Sequence, residues 1–464
     1  MLQDKAFLVG IGGSGMMPLA MILRARGVKV AGSDRALDQG RVPAKFDALR
    51  ALGIELNRQD GSGIASPDQL VVASAAVEES VPDIARANAL GCRRATRAEL
   101  LANLFNDSPL PIGVAGTSGK STVTGMIGWI LHATGRSPTV MNGAVMKNFA
   151  TPDAPFASAL VGAGDAFVSE VDESDGSIAL YAPRIAVLNN VSLDHKALDE
   201  LNRLFRDFLT KARRVVVNAD NPDALMLGEA IPRQIRTFYS VEGAGDLIAR
   251  NLCEEPFGMR FDLHMGKEVV PVALQVPGRH NVSNALAAIG AAVAAGVPLA
   301  EAAEAIGGFS GLRRRMELVG EAAGVTVIDD FGHNPDKIAA TLDALHAFPG
   351  RLLLLFQPHG FGPLKLMGRE LAATFAERMR AEDVLVMPDP VYHGGTTMRE
   401  VGSDDVAALV RESGRDARHV ADRAEAARTL VAEARSGDRI VVMGARDDSL
   451  SLLAEGMVRE LAAR

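Results

Sequence analysis

The sequence predicts an α/β protein built from three parallel-sheet domains, and three observations carry that reading. Short apolar runs alternate with helical stretches along the whole chain, the pattern of strands joined by right-handed crossover helices. Two of the strand-to-helix junctions are glycine turns, at 10–15 and 116–122. The length, 464 residues, exceeds what one core ordinarily serves, so two or three domains are expected.

The first domain is expected over 1–107. Residues 6–9 read as a strand, a glycine turn follows, and 19–26 read as a helix; 28–32 form the next strand, which leads to Asp34. A strand at 69–73 and a helix at 81–90 continue the alternation. Gly10, Gly12 and Gly15 spell G-x-G-x-x-G, with Gly13 and Ser14 inside it, between a strand and a helix, so this domain is expected to be Rossmann-like. Such a turn offers backbone N–H groups and a helix N-terminus to a pyrophosphate, and Asp34 stands where an acid can meet a ribose. The turn does not separate a nicotinamide dinucleotide from a UDP-sugar, since both carry a pyrophosphate. Asn106-Asp107-Ser108-Pro109 is turn chemistry and marks a linker.

The second domain, 108–310, opens on the more informative turn. Gly116-Thr117-Ser118-Gly119-Lys120-Ser121-Thr122 follows an apolar run at 110–115 and leads into an apolar helix. It is a shortened phosphate loop, because Val114 stands where the longer form has its first glycine. Its amides can wrap a polyphosphate, Lys120 can reach the outer phosphates, and the Ser121 hydroxyl can hold Mg²⁺. The domain is therefore expected to be a P-loop ATPase-type parallel sheet, with buried strands at 166–168, 185–188 and 214–217, a β-rich stretch at 236–276 and an Ala-rich helix after it. Glu170-Val171-Asp172-Glu173-Ser174-Asp175 follows a strand directly, and hard carboxylate oxygens there suit Mg²⁺. Asp194-His195 follows the strand at 185–188, at the edge where α/β sheets bind ligands. Arg279, His280 and Asn281 open a helix, as capping and surface residues or as contacts to a base.

The third domain, 311–464, is expected to be a second Rossmann-like unit with strands at 325–328, 352–356, 383–386 and 439–442. Arg313-Arg314-Arg315 lies beside a glycine-rich linker at 307–311, either as a solvated run or with an arginine placed to reach a transferring phosphate. Asp329 and Asp330 follow a strand and can take ribose hydroxyls, with His333 at the same sheet edge. Gly444-Ala445-Arg446-Asp447-Asp448-Ser449 is an ordinary turn or a grip for the charged groups of an amino acid.

Composition narrows the partners. A net charge of −8 argues against nucleic acid. The two cysteines, Cys92 and Cys253, are too few and too far apart for a disulfide framework and fit a reducing compartment. No apolar stretch reaches the ~18 residues of a membrane helix, and the first residues lack the basic, apolar pattern of a leader. The expectation is a cytoplasmic protein, monomer or homodimer, acting on small molecules, with neither nucleic acid nor membrane as partner.

Taken in order, these pieces resemble the Mur ligases, the ATP-dependent enzymes that build the peptidoglycan stem peptide, over essentially the whole chain. The resemblance is carried by Gly10-Ile11-Gly12-Gly13-Ser14-Gly15-Met16, Gly32-Ser33-Asp34, the short phosphate loop, Glu170 to Asp175, Asp194-His195, Gly278-Arg279-His280-Asn281, Arg314-Arg315-Met316-Glu317, Asp329-Asp330 and Phe356-Gln357-Pro358-His359. Within the family the chain is most similar to the group that adds L-alanine to UDP-N-acetylmuramate. The resemblance implies an acyl-phosphate mechanism with ATP and Mg²⁺. It implies UDP-sugar contacts from Gly10, Gly12, Gly13, Ser14, Gly15, Asp34 and Ser74. It gives ATP to Gly116, Thr117, Ser118, Gly119, Lys120, Ser121, Thr122, His280, Asn281 and Asp330. Metal binding falls to Ser121, Glu170 and His195, catalysis to Lys120, Glu170, His195 and Arg315, and the amino-acid and acceptor region to His333, His359 and Arg446.

The chain departs from that group at Ser118, at Lys196-Ala197, at Gly360-Phe361-Gly362-Pro363-Leu364-Lys365 and at Arg446-Asp447-Asp448. These departures bear on the acceptor and amine, and a related ligase for a murein tripeptide or another amino acid is the alternative. An NAD-dependent oxidoreductase would leave the phosphate loop and the Glu170 cluster without a role. A regulator that has lost catalysis would have no need of Lys120, Glu170 and His195.

Overall fold

The computed structural model describes residues 4–192, 197–391, 400–445, 447 and 449–464, and the chain forms two compact units, Met1–Leu312 and Arg313–Arg464. The first unit holds two sheets. Five parallel strands run in the order Glu55–Asn57, Lys29–Ser33, Lys5–Val9, Leu70–Ala73, Arg94–Thr96. The order reverses at Lys5–Val9, and the glycine turn leaves the carboxyl end of that strand, the place where an open α/β sheet forms its ligand crevice. The helix after the turn spans Met16–Ala25, starting earlier than the sequence pattern indicates.

The second sheet has ten strands. Its parallel centre is Arg236–Ser240, Arg214–Asn218, Ile185–Leu188, Leu110–Ala115, Ala166–Glu170 and Thr139–Met141. The β-rich stretch becomes an edge meander, Leu247–Glu255, Gly258–Met265 and Glu268–Leu274, paired antiparallel within itself. The Ala-rich helix Arg279–Ala294 is buried along most of its length against the sheet and beside the helix Lys120–Ala133, where small side chains let the backbones approach.

The turn at 106–109 joins these sheets closely. The helix Arg97–Asn106, started by a Thr96/Glu99 capping box, buries Phe105 edge-on against Phe167 at 5.9 Å and Tyr181 at 5.2 Å. One apolar core thus runs from the first sheet into the second.

The second unit is a six-stranded sheet in the order Glu317–Ala322, Val325–Asp330, Arg439–Gly444, Leu352–Gln357, Val384–Met387, Asp416–His419. Five strands are parallel; Glu317–Ala322 pairs antiparallel at the edge, an addition to the expected parallel unit. Among the described residues no helix is long and apolar enough to cross a membrane.

Candidate functional site

In the first unit the parallel register brings the carboxyl ends of three strands together. Ala115 lies beside Leu188, and Val114 beside Glu170, so the phosphate loop, the 189–192 segment and the acidic segment leave the sheet side by side. The loop is shaped by glycine. Gly119 caps the helix Lys120–Ala133 at φ +81°, and a Cβ there would strike the amides of Asn189 and Asn284. Val123 is the first residue of the helix whose amide finds a backbone carbonyl, that of Gly119, at 3.0 Å. Among the described residues the amides of Lys120, Ser121 and Thr122 have no such backbone partner, as at any helix start.

Two consecutive asparagines hold the loop from behind. Asn190 Oδ1 accepts from the Ser118 N–H and from the Thr117 hydroxyl, both at 2.9 Å, while its amide donates to the Ser118 hydroxyl at 3.1 Å. The Asn189 amide donates to the Ser118 carbonyl and to Asn284 Oδ1, each at 3.0 Å. Asn189 Oδ1 accepts from the fully buried Tyr239 hydroxyl at 2.6 Å, and burial raises that phenol's pKa well above its ordinary value. Asn284 in turn donates to Asn281 Oδ1 at 3.1 Å, and the Asn281 amide donates to the Pro277 carbonyl at 2.7 Å. A buried chain of amides therefore runs from the loop to the start of the Ala-rich helix, with every member satisfied. His280 and Arg279 stand exposed at that start, Arg279 paired with Glu242 at 2.6 Å.

The four acids within residues 170–175 divide their work. The Ser121 hydroxyl donates to Glu170 Oε2 at 2.8 Å, so the two expected Mg²⁺ ligands of this sheet edge meet. Glu173 instead grips Lys120, whose Nζ lies 2.8 and 3.0 Å from its two oxygens and donates to the Gly116 carbonyl at 2.7 Å. Burial raises the Glu173 pKa against the pull of Lys120. At Asp172 burial acts in the same direction, but the Ser174 N–H and hydroxyl, with Lys120 and Arg97 nearby, outweigh it and hold that carboxyl below its ordinary value. Asp175 accepts from the Ser177 N–H at 2.9 Å and faces Arg97 at 3.6 Å. Among the described residues no group of three or more His, Cys, Asp or Glu side chains is placed to hold a metal. Asp194 and His195 lie outside the described residues.

The first glycine turn is built differently. The Asp34 carboxylate accepts from the Gly12 N–H at 2.9 Å and from the Ala36 N–H at 2.7 Å, so it braces the turn as well as capping the next helix. Lys45 donates to the Gly12 carbonyl at 3.0 Å. Ser14 is exposed at the tip, and Ser74 directly follows the strand Leu70–Ala73 at the same sheet edge. Sequence reading missed Arg97, whose guanidinium lies so close to Gly15 that a Cβ there would stand 3.1 Å from it. Its position, 82 residues beyond the turn, left no local signal.

In the second unit the carboxyl ends of Val325–Asp330, Arg439–Gly444 and Leu352–Gln357 again lie level. Asp330 is buried, and its oxygens accept from the Met316 N–H at 2.9 Å, the Gly332 N–H at 2.9 Å and the Thr341 hydroxyl at 2.8 Å. Asp329 is fully buried; burial lifts its pKa to about 6 in spite of Arg314 and the Ser451 hydroxyl. The basic triplet is no solvated run. Arg314 is buried and donates to the carbonyls of Gly444 at 2.7 Å and Asp447 at 2.9 Å. Arg314 and Arg315 both stack on Phe331, at 5.2 and 4.6 Å from its centroid. Arg314 and Met316, on either side of Arg315, have φ of +59° and +48°, strained values that the bonds to Asp329 and Asp330 sustain. His333 meets His359 edge-on at 5.4 Å and is held to the Phe331 carbonyl at 2.9 Å; burial, then Lys337, lowers its pKa to about 3, so it is neutral. The Gly360–Lys365 departure forms the start of the helix Phe361–Arg378, and Lys365 pairs with Glu400 at 2.6 Å. Arg446 and Asp448 lie outside the described residues.

Three family models match the chain in order: "Mur ligase family, catalytic domain" over residues 7–108, "Mur ligase middle domain" over 114–292, and "Mur ligase, glutamate ligase domain" over 314–446. A UDP-N-acetylmuramate–L-alanine ligase of Streptomyces coelicolor is 36% identical over 458 residues, covering 96% of this chain and 95% of the relative. One from Sorangium cellulosum is 35% identical, covering 98% and 95%. A solved UDP-N-acetylmuramate-alanine ligase of Thermotoga maritima aligns with a TM-score of 0.81 over 99% of both chains at 24% identity. A murein peptide ligase of Psychrobacter arcticus aligns with a TM-score of 0.72 over 99% of both at 23% identity, so the fold is shared with each.

Proposed function

This chain belongs to the Mur ligase family, and from that premise we propose that it joins L-alanine to the carboxylate of UDP-N-acetylmuramate, forming ADP and phosphate, as a cytoplasmic enzyme of peptidoglycan synthesis. The observation that carries the proposal is the convergence of Lys120, Ser121 and Glu170 on one glycine-shaped loop. It occurs in a chain whose full-length relatives bear that activity in their names.

The residues present fit both nucleotide and Mg²⁺. The loop and the positive end of its helix offer amides to phosphate oxygens, and Lys120 supplies a cation at the mouth. Ser121 and Glu170 are two hard oxygen donors already in contact, in a niche so tight at Gly143 that a Cβ would strike the Glu170 carboxylate. Mg²⁺ bound there would neutralise charge on the phosphates.

A carboxylate oxygen of the sugar acid attacks the γ-phosphorus as the bond to the β-phosphate breaks, giving an acyl phosphate and ADP. The amine nitrogen then attacks the carbonyl carbon; the C–O bond to phosphate breaks, inorganic phosphate leaves with the electron pair, and the nitrogen gives its proton to solvent. The protein's part is positioning and charge, and orientation alone can supply roughly 7–11 kcal/mol.

The test is ADP release from a panel crossing UDP-N-acetylmuramate with L-alanine, other amino acids and the murein tripeptide. Release requiring both the sugar acid and L-alanine is expected. Release with the tripeptide but not L-alanine would reassign the amine, and no release with any pair would sink the ligase reading.

A further inference from the structure

We propose that Glu173 is a positioning residue that keeps the Lys120 ammonium aimed at the transferring phosphate while its own charge weakens nucleotide binding. The proposal rests on the ATP-dependent reading above and assigns a residue to it that no metal-binding role explains.

The geometry gives both halves. The Glu173 side chain is 5% exposed and that of Lys120 18%, so the pair is shielded from water. Its backbone is fixed on both sides: the Asp172 carboxylate accepts from the Ser174 N–H at 2.9 Å, the Ile178 N–H donates to the Asp172 carbonyl at 3.0 Å, and the Gly176 N–H donates to the Glu173 carbonyl at 3.2 Å. The carboxylate is thus carried by a braced turn, and a buried carboxylate stripped of its cation is strongly disfavoured. The pair therefore persists when a polyphosphate arrives.

Lys120 can serve both partners. An ammonium has three N–H groups; here one meets the Gly116 carbonyl and the others meet the two Glu173 oxygens. A shift from two carboxylate oxygens to one frees an N–H for a phosphate oxygen without separating the ion pair. The lysine is then tethered at two points instead of swinging on its four-carbon stem, which favours the geometry of transfer. The same carboxylate places a negative charge beside the incoming phosphates, which opposes binding. Removing that charge must push affinity and turnover in opposite directions, which loss of structure alone would not do.

The experiment measures Mg·ATP binding by calorimetry, with neither sugar acid nor amine present, beside steady-state ADP formation with UDP-N-acetylmuramate and L-alanine. Glu173→Gln keeps the shape and deletes the charge; we expect Mg·ATP to bind about fivefold tighter while kcat falls about thirtyfold. Glu173→Asp keeps the charge and draws it back; binding near the wild-type value with a lowered kcat is expected. Equal or weaker binding by Glu173→Gln, or its unchanged turnover, overturns the proposal. If Glu173→Gln does not fold, tightened binding or unchanged turnover in Glu173→Asp overturns it instead. Wild-type protein that fails to bind Mg·ATP would sink the ATP-dependent reading itself, a result distinct from either.

Discussion

The two glycine turns of the first unit share a backbone plan and differ in what holds them. Each leaves a buried parallel strand and opens a helix. The turn at 10–15 is braced by a carboxylate, Asp34, which accepts from the Gly12 N–H. The loop at 116–122 is braced by neutral amides, Asn190 and Asn189. A carboxylate against the turn takes up an amide and repels an anion; an asparagine braces the loop without adding charge. The first turn therefore relies on cations carried by other segments, Lys45 and Arg97. The second carries its own, Lys120, next to its capping glycine, and shares it with the Glu173 carboxylate. Under the proposed function, the first turn would meet the diphosphate of the UDP-sugar and the second the phosphates of ATP, each with a different balance of charge around it.

The largest effect should come from deleting the loop's own cation. Lys120→Ala is expected to lower ADP formation by about a thousandfold or more while leaving UDP-sugar binding measurable. It also leaves Glu173 buried without its partner, so a lower unfolding temperature should accompany the loss. Normal turnover in this variant would remove the loop from the mechanism.

Next, the bracing chemistry can be exchanged. Asn190→Asp keeps an acceptor for the Ser118 N–H and the Thr117 hydroxyl but cannot donate to the Ser118 hydroxyl, and it brings the charge of the first turn to the second. Mg·ATP binding should weaken about tenfold, with UDP-sugar binding unmoved. Unchanged Mg·ATP affinity would show that bracing charge does not set anion preference.

Part of this contrast was legible in the sequence. The glycines, Lys120, Ser121 and Glu170 sit in contiguous strings whose spacing follows from strand, turn and helix, and the central strands announce themselves as apolar runs. The bracing residues do not. Asn189 and Asn190 reach Ser118 across more than 70 positions, and Tyr239 and Asn284 join them only because the sheet is parallel there. Edge strands such as Glu55–Asn57 and Glu317–Ala322 lack a continuous apolar run, because an edge buries little. The basic triplet read as one motif and divides in the fold: Arg314 is buried structure, and Arg315 stands on the far side of a left-handed backbone kink.

A smaller effect is expected at the borrowed cation of the first turn. Arg97→Ala should weaken UDP-sugar binding about tenfold and leave Mg·ATP binding in place, measured by titrating each ligand alone. Equal weakening of both would mean that Arg97 acts through Asp175 and the acidic segment, because that pair also joins the first turn to the phosphate-loop side of the unit.

The finest test lies in Asp34. Asp34→Ala removes the brace and should weaken UDP-sugar binding more than Mg·ATP binding; the reverse ranking would mean that the two sites are exchanged. Asp34→Asn is the sharper variant. Its single carbonyl oxygen can accept from the Gly12 N–H or the Ala36 N–H but serves both less well, at a stability cost of about 1 kcal/mol. It also removes the repulsive charge. If Asp34 acts only as a brace, these effects nearly cancel and UDP-sugar affinity should change by less than about threefold. If its carboxylate also grips the ribose, as the resemblance implies, affinity should fall toward that of Asp34→Ala. The spacing between the two variants thus measures how much of Asp34 belongs to the turn and how much to the ligand.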